Sequence, residues 1–199
     1  MDERSFINEI RSTFSLAPQQ RLKAMITFHQ KVCKAYCQAV SEIDEARAES
    51  KSSDGRLIKQ VVGHIMEWDR FTLLCYGQLL SGVKNRKILW KTGYTDSIGE
   101  PFNFNTIEAF NNFQMERQAK VPWVQIQVDA IRLAKTLQSL LSSTLITPQL
   151  LEDTETISPE LYDGQRLPIP SGWFLWYVIL DHEAVEHATD LYSGPNNLI

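Results

Sequence analysis

The sequence lacks an apolar run long enough to cross a lipid bilayer. Its longest run covers residues 173–180, only eight residues, whereas a membrane-spanning helix needs about 20. The first residues also show no secretory signal, which would combine basic residues with an apolar stretch. We therefore expect a cytoplasmic protein that is neither secreted nor inserted in a membrane.

Cysteine is scarce, and the three that occur do not form the pattern of a disulfide framework. Cys33, Cys37 and Cys75 are odd in number and widely spaced, which is typical of reduced thiols in a cytosolic protein. Cys33 and Cys37 share a helical face, but no second cysteine pair accompanies them. We interpret them as packed thiols.

An excess of positive charge is also missing. The net charge is −4 and the isoelectric point is near 5.6. The dense basic cluster is formed by Lys84, Arg86 and Lys87, and three charges on a loop are more typical of a solvated turn than of a phosphate-binding track. We therefore expect no nucleic-acid partner.

No segment alternates apolar and polar residues as a half-buried strand would. Instead, apolar residues recur every three or four positions, which is typical of amphipathic helices. Pro122 should kink the third helix or split it in two. Ser171 is a candidate N-cap of the fourth, which the Gly194–Pro195 pair should end. The predicted helices follow the apolar positions from Leu22 to Ile43, Leu57 to Cys75, Phe110 to Ile146 and Ser171 to Leu191, with a short leading helix over residues 2–13.

Helices of unequal length without a sheet predict an all-α four-helix bundle. Two long connections, residues 82–105 and 147–170, are rich in glycine and proline and are long enough to cover one end of the bundle. We find no internal repeat, low-complexity tract or linker. The sequence therefore predicts a single helical-bundle domain over residues 1–199, a length that suits one hydrophobic core.

Glu183 and His187 carry the strongest functional signal. They are four residues apart, so on an α-helix their side chains lie on one face, which is also the apolar face. A buried carboxylate is costly unless it is paired, which favours a bound metal ion. His64 lies on the inward face of the second helix, so the three side chains can converge. Two imidazoles and a carboxylate suit zinc, nickel or ferrous iron better than magnesium or calcium.

The neighbouring His182 suggests a different motif, that of the zinc proteases. That motif places two histidines four residues apart on a helix. His182 and His187 are five apart, which on an α-helix separates them by about 140°. We therefore reject a protease and expect His182 to align with Val178 and Glu186 on another face.

Further residues are expected to support the ligands or to line a pocket. His29 lies on the apolar stripe of its helix, where it is a packed histidine or one that orients a ligand. Trp68 and Trp176 are expected to be core residues first and pocket walls second. His182 is likewise expected to support a ligand or to line the pocket. A structural alternative remains for the polar set, since an inward histidine is usually a hydrogen-bonded core residue. The Glu183–His187 pair can likewise be a simple charge-assisted hydrogen bond.

Two stretches resemble the DinB-like superfamily of four-helix metalloproteins. The segment Gly55–Arg70 is similar to its second helix, where a histidine follows a small residue. The segment Glu183–Leu191 resembles the last helix of the mycothiol-dependent maleylpyruvate isomerase-like branch, where a glutamate or histidine precedes the second histidine by four residues and an Asp-Leu pair follows. Phe102–Asn105 is similar to the segment that opens its third helix. The metal ligands that the resemblance implies are His64, Glu183 and His187.

The resemblance also implies chemistry on a small molecule, often with a low-molecular-weight thiol as cosubstrate. With a thiol the expected activity is that of a metal-dependent S-transferase or isomerase, and with water alone that of a hydrolase; the sequence does not choose between them. Catalysis is expected to run through metal-bound water or thiol, with zinc as the expected metal and nickel or iron as alternatives. A non-catalytic protein that binds a small molecule or protects cells from a toxin is the alternative, and the apolar surface would also allow a homodimer.

Overall fold

Helices make up most of the chain in the computed structural model, which describes residues 1–82, 94–95, 101–102, 104 and 106–192. The α-helices are α1 (Glu3–Phe14), α2 (Pro18–Glu42), α3 (Glu45–Ala48), α4 (Ile58–Leu80), α5 (Ile107–Gln118), α6 (Trp123–Leu141), α7 (Pro148–Glu152), α8 (Ser171–Asp181) and α9 (Ala188–Leu191). A π-helical turn, His182–Glu186, joins α8 to the residues before α9. The predicted all-α class is confirmed.

Within the described ranges, the strands form two short antiparallel pairs in the long connections. They are β1 (Tyr94–Thr95), β2 (Pro101–Phe102), β3 (Thr156–Ile157) and β4 (Ile169–Pro170). Tyr94 pairs with Phe102, and Thr156 pairs with Pro170. Each strand has two residues, which are too few to show the alternation by which a strand is recognised in a sequence. The sequence therefore does not predict these pairs.

Proline marks several of the helix boundaries. Pro18 is the first residue of α2, where its missing N–H is not needed. Pro122 separates α5 from α6, so the predicted third helix is split rather than kinked, and it ends at Leu141 instead of Ile146. Gly194 and Pro195, the basic cluster at residues 84–87 and most of the connection 82–105 lie outside the described residues.

Ser171 is not the N-cap that the sequence predicted. It is the first residue of α8, and Pro170 precedes it in an extended conformation. The first amides of the helix are bound by the preceding connection, because Ser171 N donates to the carbonyl of Glu155 and Gly172 N donates to Thr154 Oγ1. The preceding connection therefore supplies the hydrogen-bond acceptors that a capping side chain would otherwise provide.

Helix α4 lies against several other helices. It packs on α5, α6 and α8, while α6 also packs on α2, and α2 contacts the π turn. Gly63 permits a close approach of α5, because a Cβ at this position would lie only 2.5 Å from Gln118 Cγ. This arrangement puts the next residue, His64, beside the end of the last long helix.

No helix in the described part of the chain is both long and apolar enough to cross a membrane. The side chains between the helices form two adjoining buried clusters of apolar residues. Trp173 and Trp176 of α8 are fully buried in the first cluster and stack with ring centroids 6.2 Å apart. The assignment of residues 1–199 to one domain stays a prediction.

Candidate metal centre

Three side chains from α4 and the end of the π turn converge on one point. One ligand atom each from His64, Glu186 and His187 lies within 4.8 Å of the other two. The two imidazoles are buried, with ring centroids 5.3 Å apart, whereas the Glu186 side chain is 44% exposed. Two imidazole nitrogens and a carboxylate oxygen form a donor set that suits zinc, nickel or ferrous iron.

The π turn decides which carboxylate joins the two histidines. In such a turn the backbone hydrogen bonds link residues five apart instead of four, so the side chains after Asp181 rotate relative to a regular α-helix. Glu186 thereby lies beside His187, with its Oε1 3.8 Å from Nε2.

His182 lies next to the three converging side chains, although it is not one of them. Its ring centroid is 5.4 Å from that of His64 and 6.0 Å from that of His187. Its Nδ1 is 2.8 Å from the carbonyl oxygen of Val178, which can only accept, so Nδ1 carries a proton. In the neutral ring Nε2 is then an acceptor that lies 3.3 Å from Glu186 Oε2.

Burial keeps the two converging imidazoles neutral. Desolvation, helped by the neighbouring imidazoles and by Arg56, lowers the pKa of His64 to about 2. Desolvation likewise lowers the pKa of His187 to about 4. Both rings therefore present a free lone pair at neutral pH, which is the form that binds metal. Among the described residues the buried Nε2 of His187 has no hydrogen-bond partner. The residues present thus fit a divalent metal ion.

Glu183, which the sequence predicted as a ligand, lies outside the converging group. Its carboxylate is fully buried, with Oε2 3.8 Å from Nε2 of His29. Desolvation, reinforced by Asp69, raises the pKa of Glu183 well above its usual value, so the buried group favours its neutral form. The backbone carbonyl of Glu183 accepts a hydrogen bond from the hydroxyl of Tyr192. Metal binding and its ligand set stay predictions.

A cavity of about 600 Å³ adjoins the converging side chains. Of the residues predicted to line a pocket, Trp68 and His182 do so, and their rings are 5.4 Å apart. His29 and Trp176 instead contact each other, with ring centroids 6.0 Å apart, and neither belongs to the cavity lining. The walls are mainly apolar and include Phe71, Cys75, Ile107, Phe174, Leu175 and Val178.

Hydrogen bonds tie the loop before α4 to the residues after the candidate centre. Ser53 donates from its backbone N to Asp190 Oδ1 over 2.8 Å and from Oγ to Oδ2 over 3.2 Å. Arg47 Nη2 donates to the carbonyl of Asp190 over 2.9 Å. Asp190 follows His187 by three residues and the loop leads into α4, so these bonds hold the two elements that carry the histidines together.

The sequence reasoning missed two residues at this site, Glu186 and Arg56. On a regular α-helix Glu186 would lie on a different face from His187, and the sequence carries no signal for the π turn. Its alignment with His182 was expected and is observed, at 3.3 Å. Arg56 lines the cavity from the loop before α4.

Comparison with known proteins shows the fold. No protein-family model matches the chain, and no curated protein matches it in sequence. Similar solved structures are the mycothiol-dependent maleylpyruvate isomerase, at 15% sequence identity, and a histidine-to-alanine mutant of it, at 14%. Each aligns with a TM-score of 0.56 over 90% of this chain.

The alignments cover 62% of each of those two chains, so this chain spans less than two thirds of their length. At such low identity the likeness concerns the fold alone. The resemblance expected from the sequence is confirmed at that level: the chain has the all-α fold of the mycothiol-dependent isomerases to which its second and last helices were likened.

Proposed function

We propose that the chain is a metal-dependent enzyme that acts on a small, partly apolar molecule, with a low-molecular-weight thiol as cosubstrate. The observation that carries the proposal is the convergence of His64, Glu186 and His187 beside a cavity of about 600 Å³. Both solved neighbours are named as mycothiol-dependent isomerases, which favours a thiol over water as the second reactant. A thiol transferase or thiol-assisted isomerase is therefore preferred to a hydrolase.

Some of the described residues would ligate the metal ion, and others would bind the substrate. His64 and His187 would hold the ion through neutral imidazole nitrogens, and Glu186 would hold it through its half-exposed carboxylate. A divalent ion held there would supply Lewis acidity, which lowers the pKa of a thiol or of water and polarises a substrate oxygen. The apolar walls around Trp68 and Phe71 would bind the substrate body and exclude water.

Zinc titration of chelator-treated protein, read by calorimetry and elemental analysis, tests the site. We expect the wild type to bind about one zinc ion, and His187→Ala to bind it at least about tenfold more weakly. His29→Gln is the matched control, because it alters a buried histidine outside the converging group. Equal zinc affinity in the wild type and in His187→Ala would refute the proposal.

Thiol chemistry is tested separately with the zinc-loaded protein. Conjugation of mycothiol or glutathione to 1-chloro-2,4-dinitrobenzene, followed by absorbance, should depend on the protein. The rate should fall in His64→Ala to that of the reaction without protein. Zinc binding combined with hydrolysis of an aryl ester, but with no thiol conjugation, would favour the hydrolase instead.

A second candidate function is sequestration of a small toxic molecule without catalysis. It is favoured by the mainly apolar walls of the cavity. Cells that express His64→Ala/Glu186→Ala should then survive an apolar electrophile as well as cells that express the wild type. An enzyme predicts the loss of protection in that double variant.

A further inference from the structure

Arg56 gives one side of the cavity a positive charge, whereas the walls are mainly apolar. Among the described residues that line the cavity, it is the one with a permanent positive charge. The two acidic residues of the lining are open to water, since Glu155 is exposed and the Glu186 side chain is 44% exposed. The Arg56 side chain is only 20% exposed, so its charge is less screened than theirs.

Asp54 fixes the guanidinium group of Arg56 from one edge. Arg56 Nε donates to Asp54 Oδ2 over 2.7 Å, and Nη2 lies 2.5 Å from the same oxygen. Within the described part of the chain, Nη1 has no protein partner. The planar fork of an arginine can bind a carboxylate through the edge that remains.

The loop that carries Arg56 is itself held in place. Gly55 has a φ of +86°, which a residue with a side chain rarely adopts, and it turns the chain back so that Ser52 N donates to the carbonyl of Arg56. The amide of Arg56 donates to Asp54 Oδ1 over 3.1 Å. Ser53 is bound to Asp190, as described above. The guanidinium is thus positioned before any ligand arrives, which lowers the cost of binding.

We propose that Arg56 recognises a carboxylate on the molecule that enters the cavity. The ligand class is then an apolar, preferably aromatic, carboxylic acid, whose ring body contacts the Trp68 and Phe71 side while its carboxylate meets the guanidinium. This inference deepens the proposed function and rests on it only in taking the cavity as the substrate site. The charge preference itself needs no metal.

A pair of matched probes tests the charge preference. 1-Naphthaleneacetate and 1-naphthaleneacetamide have the same rings and nearly the same shape, but only the first is an anion. Calorimetric titrations of the full chain in the presence of a chelator should show tighter binding of the acetate. Arg56→Gln should weaken acetate binding by about tenfold, which is roughly 1.4 kcal/mol, and should leave acetamide binding unchanged.

Two further variants make the result decisive. Arg56→Lys keeps the charge without the fork and should bind the acetate with intermediate affinity. Arg132→Gln removes a charge that is also paired with an aspartate, over 2.6 Å, but outside the cavity, and should bind both probes like the wild type. Unchanged acetate binding in Arg56→Gln, or an equal loss for both probes, would overturn the inference. If His187→Ala loses zinc but keeps the acetate preference, the two proposals are separated.

Discussion

The imidazole rings of His182 and His187 have centroids 6.0 Å apart, although the two residues are five positions apart along the last helix. A regular α-helix would place them about 140° apart. The π turn His182–Glu186 brings them together, because its hydrogen bonds span one residue more than those of an α-helix. The same turn directs Glu186 toward His187 and leaves Glu183 in the interior beside His29.

The choice between two carboxylates gives the first prediction. We expect Glu186→Gln to weaken zinc binding by about tenfold or more, because it removes a charged ligand oxygen. Glu183→Gln should leave zinc affinity nearly unchanged, since its carboxylate lies beside His29. Both variants keep side-chain size, so each serves as the other's control in a calorimetric titration. The reverse result would show that the helical spacing of Glu183 and His187 governs the metal-bound form.

Gly63 gives a prediction about the packing that holds His64. A Cβ added at Gly63 would lie 2.5 Å from Cγ and 3.0 Å from Cβ of the buried Gln118. Gly63→Ala should therefore lower the free energy of unfolding by about 1–3 kcal/mol. Gly77→Ala is the control in the same helix, where an added Cβ meets nothing within 4 Å. It should stabilise the protein by up to about 1 kcal/mol. Urea unfolding measures both, and equal effects would contradict the close packing of α4 and α5.

The burial of Asp69 leads us to predict that the stability of the protein depends on pH. Asp69 is fully buried, its oxygens have no hydrogen-bond partner among the described residues, and desolvation raises its pKa well above 3.8. Below pH 3.8 the carboxyl is neutral in both the folded and the unfolded chain. As pH rises further, the unfolded chain releases the proton first, so the folded state loses stability by up to about 1.4 kcal/mol per pH unit until its own pKa is reached.

Asp69→Asn cannot ionise, so its stability relative to the wild type should increase as the pH rises from about 4 toward the raised pKa of Asp69 in the folded protein. Urea unfolding at several pH values measures the difference, with the exposed substitution Glu9→Gln as the control. A stability difference that stays constant over this range would show that Asp69 is ionised in the folded protein.

The bonds between Ser53 and Asp190 give the last prediction. Asp190→Ala leaves the backbone amide and the hydroxyl of Ser53 without this acceptor, so the free energy of unfolding should fall by about 1–3 kcal/mol. Asp190→Asn retains one acceptor oxygen and should lose about half as much. If alanine and asparagine variants unfold at the same urea concentration as the wild type, the loop before α4 is not anchored there.

Much of the fold could be predicted from local patterns. The apolar spacing along α2, α4 and α6 predicts helices because one face of each is buried. Pro122 predicts a break because a proline in a helix interior lacks the N–H of one backbone hydrogen bond. The inward position of His64 followed from the stripe that it shares with Val61 and Trp68, and all three are buried. The cap of α8 could not be predicted, because its partners, Thr154 and Glu155, come from the preceding connection.

The approach of the two histidines could be expected from the sequence, whereas the carboxylate beside them could not. His64 and His187 do approach each other, because each lies on a buried helical face. The ligand set remains to be tested, and its third member depends on one extra residue in a helical turn. Arg56 could not be placed beside the cavity from the sequence, because its position depends on contacts with Asp54 and on the anchoring of Ser53 by Asp190.

Residue spacing alone was enough to predict the helical class, the buried faces of the long helices and the approach of the two histidines to each other. These properties follow from residue spacing within a single segment, because the geometry of an α-helix sets the direction of each side chain. The folded chain was needed to show that the last helix contains a π turn, that Glu186 rather than Glu183 lies beside His187, and that Arg56 lines the cavity. The position of Arg56 depends in part on the bonds between Ser53 and Asp190, which lie far apart in the chain, so local spacing does not predict it. The π turn adds one residue to a helical turn, so spacing rules for a regular α-helix place Glu183 and Glu186 on the wrong faces.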